Sequence, residues 1–203
     1  MRLRLLVLAM SGVVVASSAC SVDSTSPLPF AAPESAGLSR GLINAPKGND
    51  GEGDSSTFTF TIDPRRDNLL HMGAHTLYLP ARAVCDPTQT SYGAAYWDTG
   101  CSPLTSNLTI TARVRSASDG LPRVDFQPEL RFDPRTNVLL TFAVKGKLAT
   151  QAVDMRILYC ATSSAKSCID EALHDPTLQS IVDRPAKSVY RRIKHFSGYL
   201  VAE

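Results

Sequence analysis

Beyond residue 56 this chain is dominated by alternation of apolar and polar residues, the period of a half-buried strand. Phe58, Phe60 and Ile62 alternate with Thr57, Thr59 and Thr61. Leu108, Ile110, Ala112 and Val114 alternate with Thr109, Thr111, Arg113 and Arg115. Val138, Leu140, Phe142 and Val144 repeat the pattern, as do Val153, Met155, Ile157 and Tyr159. Successive side chains of a strand point to opposite faces, so each run predicts one face on a core and one in water. Further strands are predicted over residues 74–79, 123–126, 187–194 and 198–202. Turn punctuation falls between the runs, at Pro80, Pro87, Gly100, Pro103, Gly120, Pro128, Pro134, Gly146 and Pro185. The pattern predicts an all-β fold, an antiparallel immunoglobulin-like β-sandwich. One short helix is expected over residues 168–173, resuming beyond Pro176, because the run IDEAL (169–173) lacks β-branched residues after its first position. There is no internal repeat at a fixed period.

The first residues follow a different rule. Arg2 and Arg4 precede an apolar run over residues 5–15, which is followed by the small residues Ala16, Ser17, Ser18 and Ala19 and then Cys20. This is the layout of a secretory signal peptide over residues 1–19. The apolar run is shorter than the roughly 20 residues a membrane-spanning helix needs. The tetrapeptide SSAC (17–20) resembles the lipobox of bacterial lipoproteins, which implies a lipidated Cys20 and a membrane contact through that lipid. Ser17 and Ala19 also suit an ordinary signal peptidase, which would give a secreted or periplasmic protein. Ser21 after the cysteine, by the same resemblance, points to the outer membrane. Residues 20–56 then carry Ser, Pro, Gly, Ala and Asp with few large apolar residues, ending in KGNDGEGDSS (47–56). Such a segment buries too little apolar surface to offset its ordering entropy, so a flexible linker is expected there and one domain over 57–203.

Of five cysteines, Cys20 is the odd one. The others form two sequence-local sets, Cys85 with Cys101 and Cys160 with Cys168, each bracketing a loop rich in turn residues. Export makes disulfides reasonable, and although four cysteines allow three connectivities the local one is expected. Zinc is the rival use of these residues, but no Cys-x-x-Cys occurs and no histidine lies near them in sequence. Removing Arg2 and Arg4 from the 21 basic residues leaves 19, equal to the 19 acidic ones. A neutral mature chain lacks the basic stripe of a nucleic-acid binder, and the cluster Arg191, Arg192 and Lys194 reads as the solvated face of a strand. No phosphate loop or cofactor motif occurs, so no cofactor is expected.

Three segments together resemble the ZU-five domain, the β-sandwich module of zonula occludens, ankyrin and netrin-receptor proteins. They are GAHTLYLPARAV (73–84), then RVDFQPELRFDP (123–134) leading into VLLTF (138–142), and HFSGYLVA (195–202) as a closing strand. The two cysteine-closed insertions depart from that pattern. The resemblance implies an interaction or structural module rather than an enzyme.

It also draws attention to His195-Phe196-Ser197, since some ZU-five proteins cleave their own chain between Phe and Ser of this tripeptide. In that chemistry Ser197 Oγ would attack the Phe196 carbonyl carbon in an N-to-O acyl shift, His195 would take the proton, and strain at the peptide bond, eased by a bend at Gly198, would raise the ground state. The simpler reading places Phe196, Gly198 and Leu200 on one face of a last strand and His195, Ser197 and Tyr199 on the other. His71 and His75 would share a strand face if a strand ran through Gly73, without further ligands nearby for a metal. His174, before Asp175-Pro176, reads as a turn residue. Tyr92, Tyr96 and Trp97 lie in the Cys85–Cys101 loop among Ser, Gly and Thr, a composition suited to recognising an envelope protein or glycan, or to folding back as a local core.

Overall fold

A computed structural model describes residues 55–116, 121–145, 154–162 and 167–202. The expected signal peptide, Cys20, the linker up to residue 54, Gly120, Gly146 and Val153 lie outside those residues. The described residues form two antiparallel sheets. The first has six strands in the order β1 (Ser55–Ile62), β4 (Leu108–Ser116), β5 (Pro122–Gln127), β11 (Gly198–Ala202), β7 (Arg156–Cys160) and β8 (Cys168–Ile169). The second has five, β2 (Asn68–Met72), β3 (His75–Leu79), β6 (Leu139–Ala143), β10 (Ser188–Arg192) and β9 (Ile181–Asp183). The chain is thus the antiparallel all-β sandwich that the alternation predicts.

Register follows the apolar periodicity, because a slip of one residue would turn every core side chain outward. In β4 and β5, Ala112 lies opposite Phe126 and Val114 opposite Val124. In β11 and β7, Val201 lies opposite Ile157 and Tyr199 opposite Tyr159. The second sheet presents Leu77, Leu140, Phe142 and Val189 to the same core, all without exposed surface. Phe196 packs there in parallel with Phe126, ring centroids 4.5 Å apart, and edge-on to Phe132 at 5.0 Å.

Several expectations are corrected. No helix forms over 168–173. Cys168 pairs with Cys160 in the β7–β8 ladder, Asp170 then caps a single 3₁₀ turn at Glu171–Leu173 by accepting from Ala172 N, and Asp175 caps a second at Pro176–Leu178. The ladder holds the front of the segment and Pro176 disfavours helical geometry just before itself, which leaves room for one turn between them. No strand runs through Gly73. Gly73, with φ of 67°, and Ala74 form a two-residue hairpin loop joining β2 to β3. His71 therefore lies opposite Thr76 and His75 opposite Met72, on different strands. His71 is exposed, whereas His75 Nδ1 accepts from Ala143 N at 3.1 Å.

Candidate functional site

Both expected disulfides are present, Cys85–Cys101 and Cys160–Cys168. The first closes a loop whose course is fixed by backbone bonds at its base. Cys85 N donates to Arg131 O, and Asp86 N to Ser102 O. Arg131 Nη1 donates to Tyr96 O at 2.5 Å and also to Thr99 O, while Lys194 Nζ reaches Asp98 and, at 2.5 Å, Asp175. These cationic contacts hold the loop over one place in the sandwich, the buried side chain of His195.

His195 has no exposed surface. Trp97 stacks on its ring with centroids 3.8 Å apart and planes 17° from parallel, and Tyr159 meets it edge-on at 4.8 Å. Its Nε2 lies 3.1 Å from Glu171 Oε1. Glu171 Oε2 in turn accepts from Arg191 Nη2 at 2.5 Å, and Arg191 Nη1 donates to Ile157 O at 2.6 Å. Tyr199, fully buried on β11, donates to His195 O at 2.6 Å. The cluster draws Tyr199 and Tyr159 from one sheet, Arg191 from the other, Glu171 from the turn between β8 and β9, and Trp97 from the stapled loop.

Electrostatics keeps it self-consistent. Burial pushes the Glu171 carboxyl up, but the His195 bond and the Arg191 charge outweigh it and hold the group below its ordinary value. Burial, with Glu171 nearby, pushes the Tyr199 phenol well above its ordinary value, so it stays a donor. Burial raises the Tyr92 phenol likewise. Tyr92 Oη donates to Phe196 O at 2.5 Å and lies 3.5 Å from His195 Nδ1.

The basic cluster Arg191, Arg192 and Lys194 is not a solvated face. Arg191 is 1 % and Lys194 6 % exposed. Alternation carried the signal, for Arg191 stands between Val189 and Ile193 at the same parity, and both neighbours are in the core. Glu171 was the other residue missed, because its expected helix gave no reason to place it inside.

At the tripeptide, the last strand begins at Gly198, and the expected alternation does not extend back through it. His195 and Phe196 are both fully buried, the first under the stapled loop and the second in the core. Ser197 Oγ donates to Cys160 O at 3.3 Å. His195 Nε2 faces Glu171, and its Nδ1 lies 3.5 Å from each of the Tyr92 and Tyr199 hydroxyls. The Phe196–Ser197 bond is not cis, and neither residue has a positive φ. Gly198 serves close approach rather than a bend. A Cβ there would sit 2.7 Å from Asp125 Oδ1, 2.8 Å from Arg123 Nη2 and 2.9 Å from Cys160 O.

Of the three loop aromatics, Tyr92 and Trp97 are half-buried against His195 and Phe196, and Tyr96 is exposed. Among the described residues no group of three or more His, Cys, Asp or Glu is placed to hold a metal ion, and no helix is long and apolar enough to cross a membrane.

Fold and cluster define an antiparallel β-sandwich with two disulfides and a buried polar cross-brace between its sheets. In comparison with known proteins, the chain matches no family model, no curated protein and no solved structure.

Proposed function

We propose that this chain is a bacterial cell-envelope lipoprotein, anchored in the outer membrane through an acylated Cys20, which displays a non-catalytic, ZU-five-like sandwich for contact with an envelope protein or glycan. The observation that carries the reading is how the tripeptide is used. The ring nitrogens of His195 are turned to Glu171 and to two tyrosine hydroxyls, and Ser197 Oγ is turned to Cys160 O. The residues with the most reactive chemistry serve as braces. Exposed Ile169, Leu173 and Ile181, beside the turns and edge strands β8 and β9, supply apolar surface that a contact could bury. The test is intact mass spectrometry of the protein from its host with fractionation of Cys20→Ala. An acylated chain that includes Glu203, released from membranes by the substitution, is expected. An unmodified chain, or one retained despite Cys20→Ala, would defeat the anchor.

One observation favours a second reading, self-cleavage between Phe196 and Ser197. The Tyr92 hydroxyl sits 2.5 Å from Phe196 O, where it could stabilise charge developing on that oxygen during attack by Ser197 Oγ. Loss of residues 197–203 under denaturing conditions, abolished by Ser197→Ala, would establish it.

A further inference from the structure

Among the described residues the six-stranded sheet ends on β1, an eight-residue strand hydrogen-bonded through its ladder to β4 alone. Edge strands are normally made safe by brevity, charge, proline or a bulge. The other three edges are short, with β8 two residues long, β9 three and β2 five. β1 has the sequence SSTFTFTI, with no charge, proline or glycine, and every one of its residues pairs in an unbroken register with β4.

The strand is also palindromic. Residues 57–61 read Thr-Phe-Thr-Phe-Thr in either direction. An antiparallel partner strand related by a two-fold axis at Thr59 would set Thr59 against Thr59, Phe58 against Phe60 and Thr57 against Thr61. Two-fold interfaces demand such self-complementarity, and aromatic–aromatic and Thr–Thr pairs are among the favourable cross-strand neighbours. Thr57, Thr59 and Thr61 are exposed, while Phe58 and Phe60 are half-buried, lie on the core-facing side and stack nearly parallel with centroids 6.4 Å apart. A second copy would cover the part of both phenylalanine rings that the sandwich leaves in water.

We infer that β1 is a homodimerisation edge, joining two copies of this chain through antiparallel β1–β1 pairing in the register centred on Thr59. One strand's edge buries less than the roughly 1,200 Å² of a standard interface, so the dimer is weak, with a dissociation constant on the order of 10–100 μM, and forms where copies are concentrated.

The experiment uses the exported chain carrying Cys20→Ala, so that no acyl chain drives clustering, and asks two things. Sedimentation velocity up to about 500 μM is expected to show reversible dimers, weakened at least tenfold by Thr59→Lys, which sets like charges opposite each other, with Trp97 fluorescence confirming that the variant folds. Opposed Cα atoms in an antiparallel pair are about 4.5–5.5 Å apart, within disulfide range. Under mild oxidation Thr59→Cys is therefore expected to link to itself, whereas Thr57→Cys and Thr61→Cys link only when mixed. A chain monomeric throughout, a dimer indifferent to Thr59→Lys, or equal self-linking at all three positions overturns the inference.

Discussion

Glu171→Gln puts the buried cross-brace to its most direct test. The Arg191 side chain has no exposed surface, and that of Glu171 is 6 % exposed. The guanidinium uses three donors, Nη2 to Glu171 at 2.5 Å, Nη1 to Ile157 O at 2.6 Å and Nε to Arg192 O at 3.1 Å, and lies 6.0 Å from the centre of the Tyr199 ring. An arginine cannot shed its proton, so the substitution leaves a buried cation facing a neutral amide. Breaking a buried pair from one side costs about 3–5 kcal/mol, and the retained amide oxygen places Glu171→Gln near the lower figure, about 3 kcal/mol. The chain's one tryptophan reports the transition, because Trp97 stacks on His195 within the cluster. With a urea m-value of about 2 kcal/mol per molar, the midpoint should fall by on the order of 1.5 M. Replacing the pair together, Arg191→Met with Glu171→Leu, should recover most of the loss, since no charge is then stranded. The Glu171 carboxyl is depressed, so its contribution is complete above the unfolded value and is lost as pH falls through the folded one. Glu171→Gln should therefore flatten that part of the acid limb. A loss below about 1 kcal/mol, or a double variant no better than the single one, would refute the stranded-charge argument.

Gly198→Ala should destabilise by about 1–3 kcal/mol in the same assay, because its Cβ would press on the Cys160 carbonyl as well as on the Asp125 and Arg123 side chains. Removing both sulfurs of the loop staple, Cys85→Ser with Cys101→Ser, should cost on the order of 3 kcal/mol by chain entropy and red-shift Trp97 emission as the loop leaves His195; unchanged emission would show that Arg131 and Lys194 hold the loop unaided. Burial raises the Asp175 carboxyl, but its bonds from Lys194 and Thr177 bring it down to about 2, so its stabilisation is complete above the ordinary carboxylate value and is lost as pH falls toward 2. In Lys194→Met a carboxyl titration followed by NMR should move upward from that value, and an unmoved titration would assign the depression to the Thr177 cap.

Strand periodicity was legible wherever a strand was long enough to alternate, as in β1 and β4, and closing strand β11 was placed to the residue. β9 was not, since three residues give little period, and β2 was not, because NLLHM (68–72) sets Leu69 and Leu70 side by side instead of alternating, while Ala74 of the following turn was read as the start of a strand. The disulfides were legible because local pairing closes small loops. The cluster around His195 was not, because residues that touch in it, such as Tyr92 and His195, lie 103 positions apart and meet only when the stapled loop folds over the sandwich. Charge misled most. Arg191 and Lys194 were placed in solvent by their chemistry, whereas strand parity for Arg191 and the acidic partners Glu171, Asp98 and Asp175 put them inside.

The tripeptide shows why a motif alone does not decide between chemistry and packing. An acyl shift needs a hydroxyl free to approach the preceding carbonyl, a base aimed at that hydroxyl, and a peptide bond under strain. A structural lock needs the same three residues bonded elsewhere. Here Phe196 N donates to Leu130 O, Phe196 O accepts from Tyr92, Ser197 O accepts from Phe126 N and Ser197 Oγ donates to Cys160 O, so the backbone on both sides of the bond is tied down. Downstream, β11 lies inside the six-stranded sheet between β5 and β7, with Tyr199 and Val201 buried. A nick would therefore leave its product clamped by two ladders and invisible to any native separation. Removing covalent attachment from an interior strand would also lower stability, which is why mass under denaturing conditions, and not retention of fold, decides between the two readings.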